Sequence, residues 1–188
     1  MKLIKEVNLF ENKRLLIGIN VAAIVLMFIF MALFYGLGSQ IAPDTETSIN
    51  LFDIADNYFI PIVLFLLFYL LMIIVHELIH GLFFKLFAPN GKVFYGFKSG
   101  MAYATSPGNF YNKWQMFIIA IGPFAIISIV LTILFYIFNI EVYTYAAITG
   151  MHAGSCAGDF YYIYLIFTSP KGTQFEDTEV GINLYLPN

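Results

Sequence analysis

The sequence predicts an all-α membrane protein, with four transmembrane helices and a small cytoplasmic-side β-hairpin between the second and the third. Three observations carry this expectation. Of the 188 residues, 60% are hydrophobic and only 11% charged, far from the composition of a domain that presents a polar surface to water. Four apolar runs, 15–37, 59–87, 114–140 and 142–167, are each long enough to cross about 30 Å of hydrocarbon. All the basic residues fall on one side of the bilayer that those runs imply.

Ahead of the first run, Leu3, Ile4, Val7, Leu9 and Phe10 are mixed with charges, which fits a short helix on the inner membrane surface or a plain cytoplasmic tail. The first run is too long for a cleavable signal peptide and no Ala-x-Ala site directly follows it, so it reads as a retained anchor. The loop from Gly38 to Tyr58 has no basic residue and carries Asp44, Glu46, Asp53 and Asp56. Lys2, Lys5, Lys13 and Arg14 precede the first run, Lys85, Lys92, Lys98 and Lys113 lie at or between the ends of the second and third, and Lys171 follows the fourth. This asymmetry predicts a multi-pass protein of the cell membrane with both termini cytoplasmic.

The second run stops at Ala88-Pro89-Asn90-Gly91, where proline and an Asn-Gly pair end a helix. Two strand-like stretches, Val93–Phe97 and Met101–Thr105, flank Lys98-Ser99-Gly100 and predict a hairpin, the alternative being an interfacial loop of aromatic anchors. A hairpin edge could hold a peptide in extended form by strand addition. The Ile182–Leu186 segment could return as a further strand. With no internal repeat or second globular segment in view, 1–188 reads as one membrane-embedded domain. The net charge of −3 gives no ground for a nucleic-acid partner. Cys156 has no second cysteine with which to form a disulfide.

Inside the second run lie His76, Glu77 and His80, in the order His-Glu-Leu-Ile-His-Gly. On a helix, residues four apart share a face, so both imidazoles can reach one metal ion. Glu77 is then placed to act as a general base on a water molecule. Ionisable groups at membrane depth cost about 3 kcal/mol each and mark function. A catalytic zinc takes three protein ligands and keeps one position open, so a third ligand is needed, and the fourth run offers His152, Cys156 and Asp159. With a rise of about 1.5 Å per residue, His76 lies about 25 Å from the outer end at Phe59. Counted from Tyr143, Asp159 lies at about 24 Å, Cys156 at about 20 Å and His152 at about 14 Å. Depth favours Asp159, with Cys156 inside the range that helix tilt covers. The small residues around Cys156, from Gly150 to Gly158, suit close approach of another helix.

These strings, with Gly122-Pro123 in the third run and Ser155-Cys156-Ala157-Gly158-Asp159 in the fourth, resemble the core of the site-2 protease group of intramembrane metalloproteases. More closely, the chain is similar to a family of small multi-pass membrane zincin peptidases distantly related to that group. In that family a Lys-Gly and then an Asp-Thr pair follow the last span, as Lys171-Gly172 and Asp177-Thr178 do here. The resemblance covers roughly 59–186. It implies that His76, His80 and Asp159 bind Zn2+, that Glu77 is the general base, and that a membrane-embedded or membrane-proximal peptide or protein is cut near the cytoplasmic face. Two positions depart from site-2 proteases: Ile126 stands where they carry Asn after Gly-Pro, and Phe160 rather than Gly follows Asp159. Substrate positioning or the oxyanion donor therefore differs. Asn109, Tyr111, Asn112 and Gln115 are candidate donors to a substrate backbone, or else headgroup contacts. The competing expectation is a non-catalytic binding or scaffold protein whose structural metal site takes a fourth ligand from Cys156 or His152. A transporter would show repeated halves, which the sequence does not.

Overall fold

The computed structural model describes residues 1–9, 11–42, 48–50, 55–98 and 100–187. Phe10, Asp44, Glu46, Asp53 and Ser99, invoked above, lie outside them. The chain begins with strand β1 (Lys2–Asn8) and continues into three long helices, α1 (Lys13–Ile41), α2 (Phe59–Phe87) and α3 (Lys113–Ile137). All three are long and apolar enough to cross a membrane. Between α2 and α3 lie β2 (Phe94–Lys98), β3 (Met101–Thr105) and the short β4 (Tyr111–Asn112). Beyond α3 come α4 (Val142–Ser155), α5 (Ala157–Thr168), β5 (Gln174–Thr178) and β6 (Gly181–Leu186).

The expected fourth span is not one helix. It breaks at Cys156, whose N–H is shared between the carbonyls of His152 and Ala153, each at 3.2 Å. Glycine and serine there lower helix propensity, and Ser155 Oγ turns back onto the Met151 carbonyl at 3.1 Å, a bond that bends helices. Neither piece, of 14 and 12 residues, reaches the length of about 20 residues that a straight span needs.

The expected all-α architecture needs a second correction, because the helices carry two antiparallel sheets. The hairpin predicted around Gly100 forms from β2 and β3, in the register Tyr95↔Ala104 and Phe97↔Ala102. Gly100 adopts φ +86°, a conformation that only glycine enters without cost. The other sheet has the order β1-β6-β5-β4. Its β1 stands where a surface helix or a plain tail was expected, and β6 is the strand anticipated at Ile182–Leu186. The segment before α1 is a strand because β6 offers it a ladder from Lys2↔Leu186 to Asn8↔Gly181, broken only by a register shift between Leu3 and Lys5. That partner lies far along the chain, and local pattern does not report it. Gly181 is required at the join: a Cβ there would sit 1.8 Å from the Val7 carbonyl oxygen.

The chain divides into two compact units. The first comprises Met1–Asn20, Ile74–Pro123 and Gly158–Asn188. Its core joins Phe84 of α2, Met116 and Ile119 of α3, and Leu165 and Ile166 of α5 to Phe175, Ile182 and Leu184 of the sheet. Gly122 admits the Phe83 ring, since a Cβ there would lie 2.3 Å from it. At its start α3 is closed by a reciprocal pair, Asn112 N–H donating to Gln115 Oε1 and Gln115 N–H to Asn112 Oδ1, both at 3.0 Å, a capping box built with asparagine. Tyr111 donates to Ser106 Oγ at 2.8 Å and Asn109 Nδ2 to the same oxygen at 3.0 Å. All four side chains considered above as substrate donors are thus engaged in holding the loop and the start of α3.

The second unit comprises Val21–Ile73 and Phe124–Ala157. Here Gly150 and Gly154 bring α4 against the backbone of α1. A Cβ at either would lie 2.8 Å from a carbonyl oxygen, of Met27 and Ala23 respectively, which is the close approach that small residues four apart permit between apolar helices. Glu141 caps α4, accepting from the N–H of Tyr143 at 2.9 Å and of Thr144 at 2.8 Å.

Candidate metal centre

The first unit brings His76, His80 and Asp159 together. His76 and His80 occupy successive turns of one face of α2 and are buried. Asp159 lies in the first turn of α5, where the break at Cys156 leaves the positive end of a helix dipole to favour a carboxylate. The two Nε2 atoms are 3.1 Å apart, Asp159 Oδ2 is 3.2 Å from His76 Nε2 and Oδ1 is 3.2 Å from His80 Nε2.

Two imidazole nitrogens and a carboxylate this closely spaced, with one Asp159 oxygen toward each ring, match zinc. Tetrahedral bonds of about 2.0–2.1 Å put neighbouring ligand atoms about 3.3 Å apart. The ring orientation fits as well. His80 Nδ1 faces the Ile119 carbonyl oxygen at 3.0 Å; a carbonyl only accepts, so Nδ1 carries a proton and Nε2 is the nitrogen turned to the triangle, where a bound zinc would take its lone pair. The set of two imidazoles and one carboxylate is one that catalytic zinc uses.

Glu77 is half-buried beside this triangle, with the backbone N–H of Ala104 in β3 directed at its carboxylate. Since Tyr95↔Ala104 are register partners, an Ala104 amide that faces Glu77 points away from β2. The alternation of a strand then turns the backbone groups of Ala102 outward too. The hairpin meets α2 at a second point, one turn on: a Cβ at Gly81 would lie 1.8 Å from the Tyr95 hydroxyl. The glycine after His80 thus makes room for the hairpin.

His152 and Cys156, the other candidate ligands, belong to the second unit, where Cys156 Sγ lies 3.8 Å from His152 Nε2. Around Glu77 and Asp159 the fold also places two groups that sequence reasoning did not put in the site. Tyr162, one turn beyond Asp159, has Asp177, Asp159 and Glu77 within electrostatic reach. Asp177 is buried on the inward face of β5, beside Phe175, and its carbonyl accepts from Thr105 Oγ1 at 3.1 Å. An acidic residue in step with the apolar position of a strand was the available signal.

Burial pushes the Asp177 carboxyl up to about 8, with Asp159 and Glu77 adding to the shift and Thr105 and His80 opposing it. Its folded value thus exceeds the ordinary 3.8. The stability it contributes is complete below that ordinary value and is lost as pH rises to about 8. The thermal midpoint of chelator-treated protein should therefore fall between about pH 5 and pH 8, and Asp177→Asn should flatten the fall. An equally steep fall in the variant would assign it to another group.

No curated protein and no solved structure matches the chain. A family model does: the one described as putative zincin peptidase matches residues 69–174, more than half of the sequence and the stretch that contains His76, Glu77, His80 and Asp159. The chain belongs to the putative zincin peptidase family.

Proposed function

We propose that the protein is a zinc-dependent intramembrane peptidase of the site-2 protease kind, hydrolysing a peptide bond of a membrane-embedded or membrane-proximal substrate near the cytoplasmic face. The observation that carries this reading is the triangle of His76, His80 and Asp159 with Glu77 at its side, its two histidines and Glu77 borne by a helix, α2, long and apolar enough for a bilayer. A bound zinc would supply Lewis acidity, polarising a carbonyl and making water nucleophilic near neutral pH. His76 Nε2, His80 Nε2 and an Asp159 oxygen would hold it.

Glu77 takes one proton from the attacking water as the oxygen bonds to the carbonyl carbon. It passes that proton to the departing nitrogen as the C–N bond breaks, leaving a carboxylic acid and an amine, and the second water proton then moves from the acid to the amine to give carboxylate and ammonium. The outward edge of β3 gives the substrate a place to lie extended, its backbone bonding to Ala102 and to the carbonyl of Ala104, whose N–H Glu77 already holds. A helical substrate, whose amides are already bonded internally, must unwind to use that edge. In this reading α4 and α5 together make the fourth crossing, both termini face the cytoplasm, and the protein resides in the cell membrane.

The alternative, a scaffold with a structural metal site, needs four protein ligands; the triangle has three, and Cys156 or His152 would have to supply the fourth. The deciding measurement is zinc per chain in detergent-purified protein, expected at about one. No zinc after metal is supplied would overturn the peptidase reading.

A further inference from the structure

We infer that Pro123 is a positioning residue for His80, acting through the hydrogen bond that proline cannot make; this rests on His80 being a zinc ligand. In an α-helix the N–H of residue i bonds to the carbonyl of residue i−4. Pro123 lies inside α3, so the carbonyl that its N–H would serve is that of Ile119. Proline has no N–H, and its ring also crowds the i−4 carbonyl off the helix axis. Ile119 is 1% exposed, and a carbonyl buried there without a partner would be costly. The partner it has is His80 Nδ1, at 3.0 Å. The missing donor of one helix is replaced by the imidazole of another.

The exchange has a direction. An orphaned carbonyl attracts the Nδ1 proton, which fixes the tautomer, and a fixed tautomer turns the Nε2 lone pair toward His76 and Asp159. Gly122, next to Pro123, lets Phe83 of α2 close against α3, holding the two helices at the separation this bond requires. The Gly122-Pro123 pair thus works on the centre without touching it, glycine through distance and proline through an unpaired carbonyl.

Pro123→Ala tests this, because alanine restores the N–H that competes for the Ile119 oxygen and is the better helix former. We expect zinc affinity to fall by about 10- to 100-fold, the range for loss of a partner behind a histidine ligand. The thermal midpoint of the metal-free protein should rise instead. Opposite signs separate a positioning role from a structural one, which would move both the same way. A second variant replaces Pro123 by lactic acid, whose backbone ester lacks both the N–H and the ring; it should keep parental zinc affinity. Zinc affinity unchanged in Pro123→Ala, or an ester variant as weak as the alanine one, would overturn the inference. The 15N signal of His80 Nδ1 in chelator-treated protein gives a readout independent of metal. It should move in Pro123→Ala while that of His76 stays, whereas a parent chain that binds no zinc would count against the peptidase reading alone.

Discussion

Glu77→Gln should leave about one zinc per chain and lower turnover of a membrane substrate by about 10²- to 10⁴-fold, the range that a positioned general base contributes. The substitution is clean because of what surrounds the group. Glutamine has the same length, and its carbonyl oxygen can still accept from Ala104 N–H, so the contact between α2 and β3 survives. None of the three triangle atoms belongs to Glu77, so the metal is retained. What disappears is the ability to take a proton from water. Retained turnover in a zinc-loaded Glu77→Gln protein would sink the assigned role and leave the metal site standing.

Asp159→Ala should abolish zinc retention. The carboxylate supplies one oxygen to each imidazole edge of the triangle, and it is the only negative charge among the three donors. Loss of a partner behind a metal ligand costs about 10- to 100-fold in affinity, and loss of a ligand itself should exceed the upper figure. The expected result is a metal content near zero after dialysis against a weak chelator, with helix content preserved. Cys156→Ala and His152→Ala are the matched controls, expected to keep parental zinc. Loss of zinc in Cys156→Ala but not in Asp159→Ala would mean that the ligand set has been misassigned.

Much of this arrangement was legible before any coordinates. Apolar runs marked α1, α2 and α3 because about twenty apolar residues in succession are rare outside membrane spans. Lys98, Ser99 and Gly100 marked the hairpin turn. Counting depth placed Asp159 within about one residue rise of His76, and the structure brings their side chains to 3.2 Å. Such counting works because helices are rulers of known pitch. What stayed hidden depends on partners remote in sequence. β1 looked like a surface helix or a plain tail because seven residues of mixed apolar and charged character do not name the strand that will pair with them. Asp177 looked like a tail residue because its burial comes from Phe175 and Thr105 and from sheet register, not from its neighbours. The break at Cys156 was masked by hydropathy, which ranks residues by solubility and is blind to whether a helix continues through them.

The pairing of β1 with β6 also sets an order of events. β1 leaves the ribosome ahead of every helix, β6 after all of them, and neither can complete the four-stranded sheet until the other is present. Long-range pairings of this kind form late. Phe175, Ile182 and Leu184 seal the core around α2, α3 and α5, and Asp177 arrives on the same sheet, so the surroundings of Glu77 are finished only after these helices have been made. Under the function proposed above, a nascent chain would thus carry its metal donors into the bilayer before it owned a complete cutting site, which would spare neighbouring membrane proteins from a protease still being made.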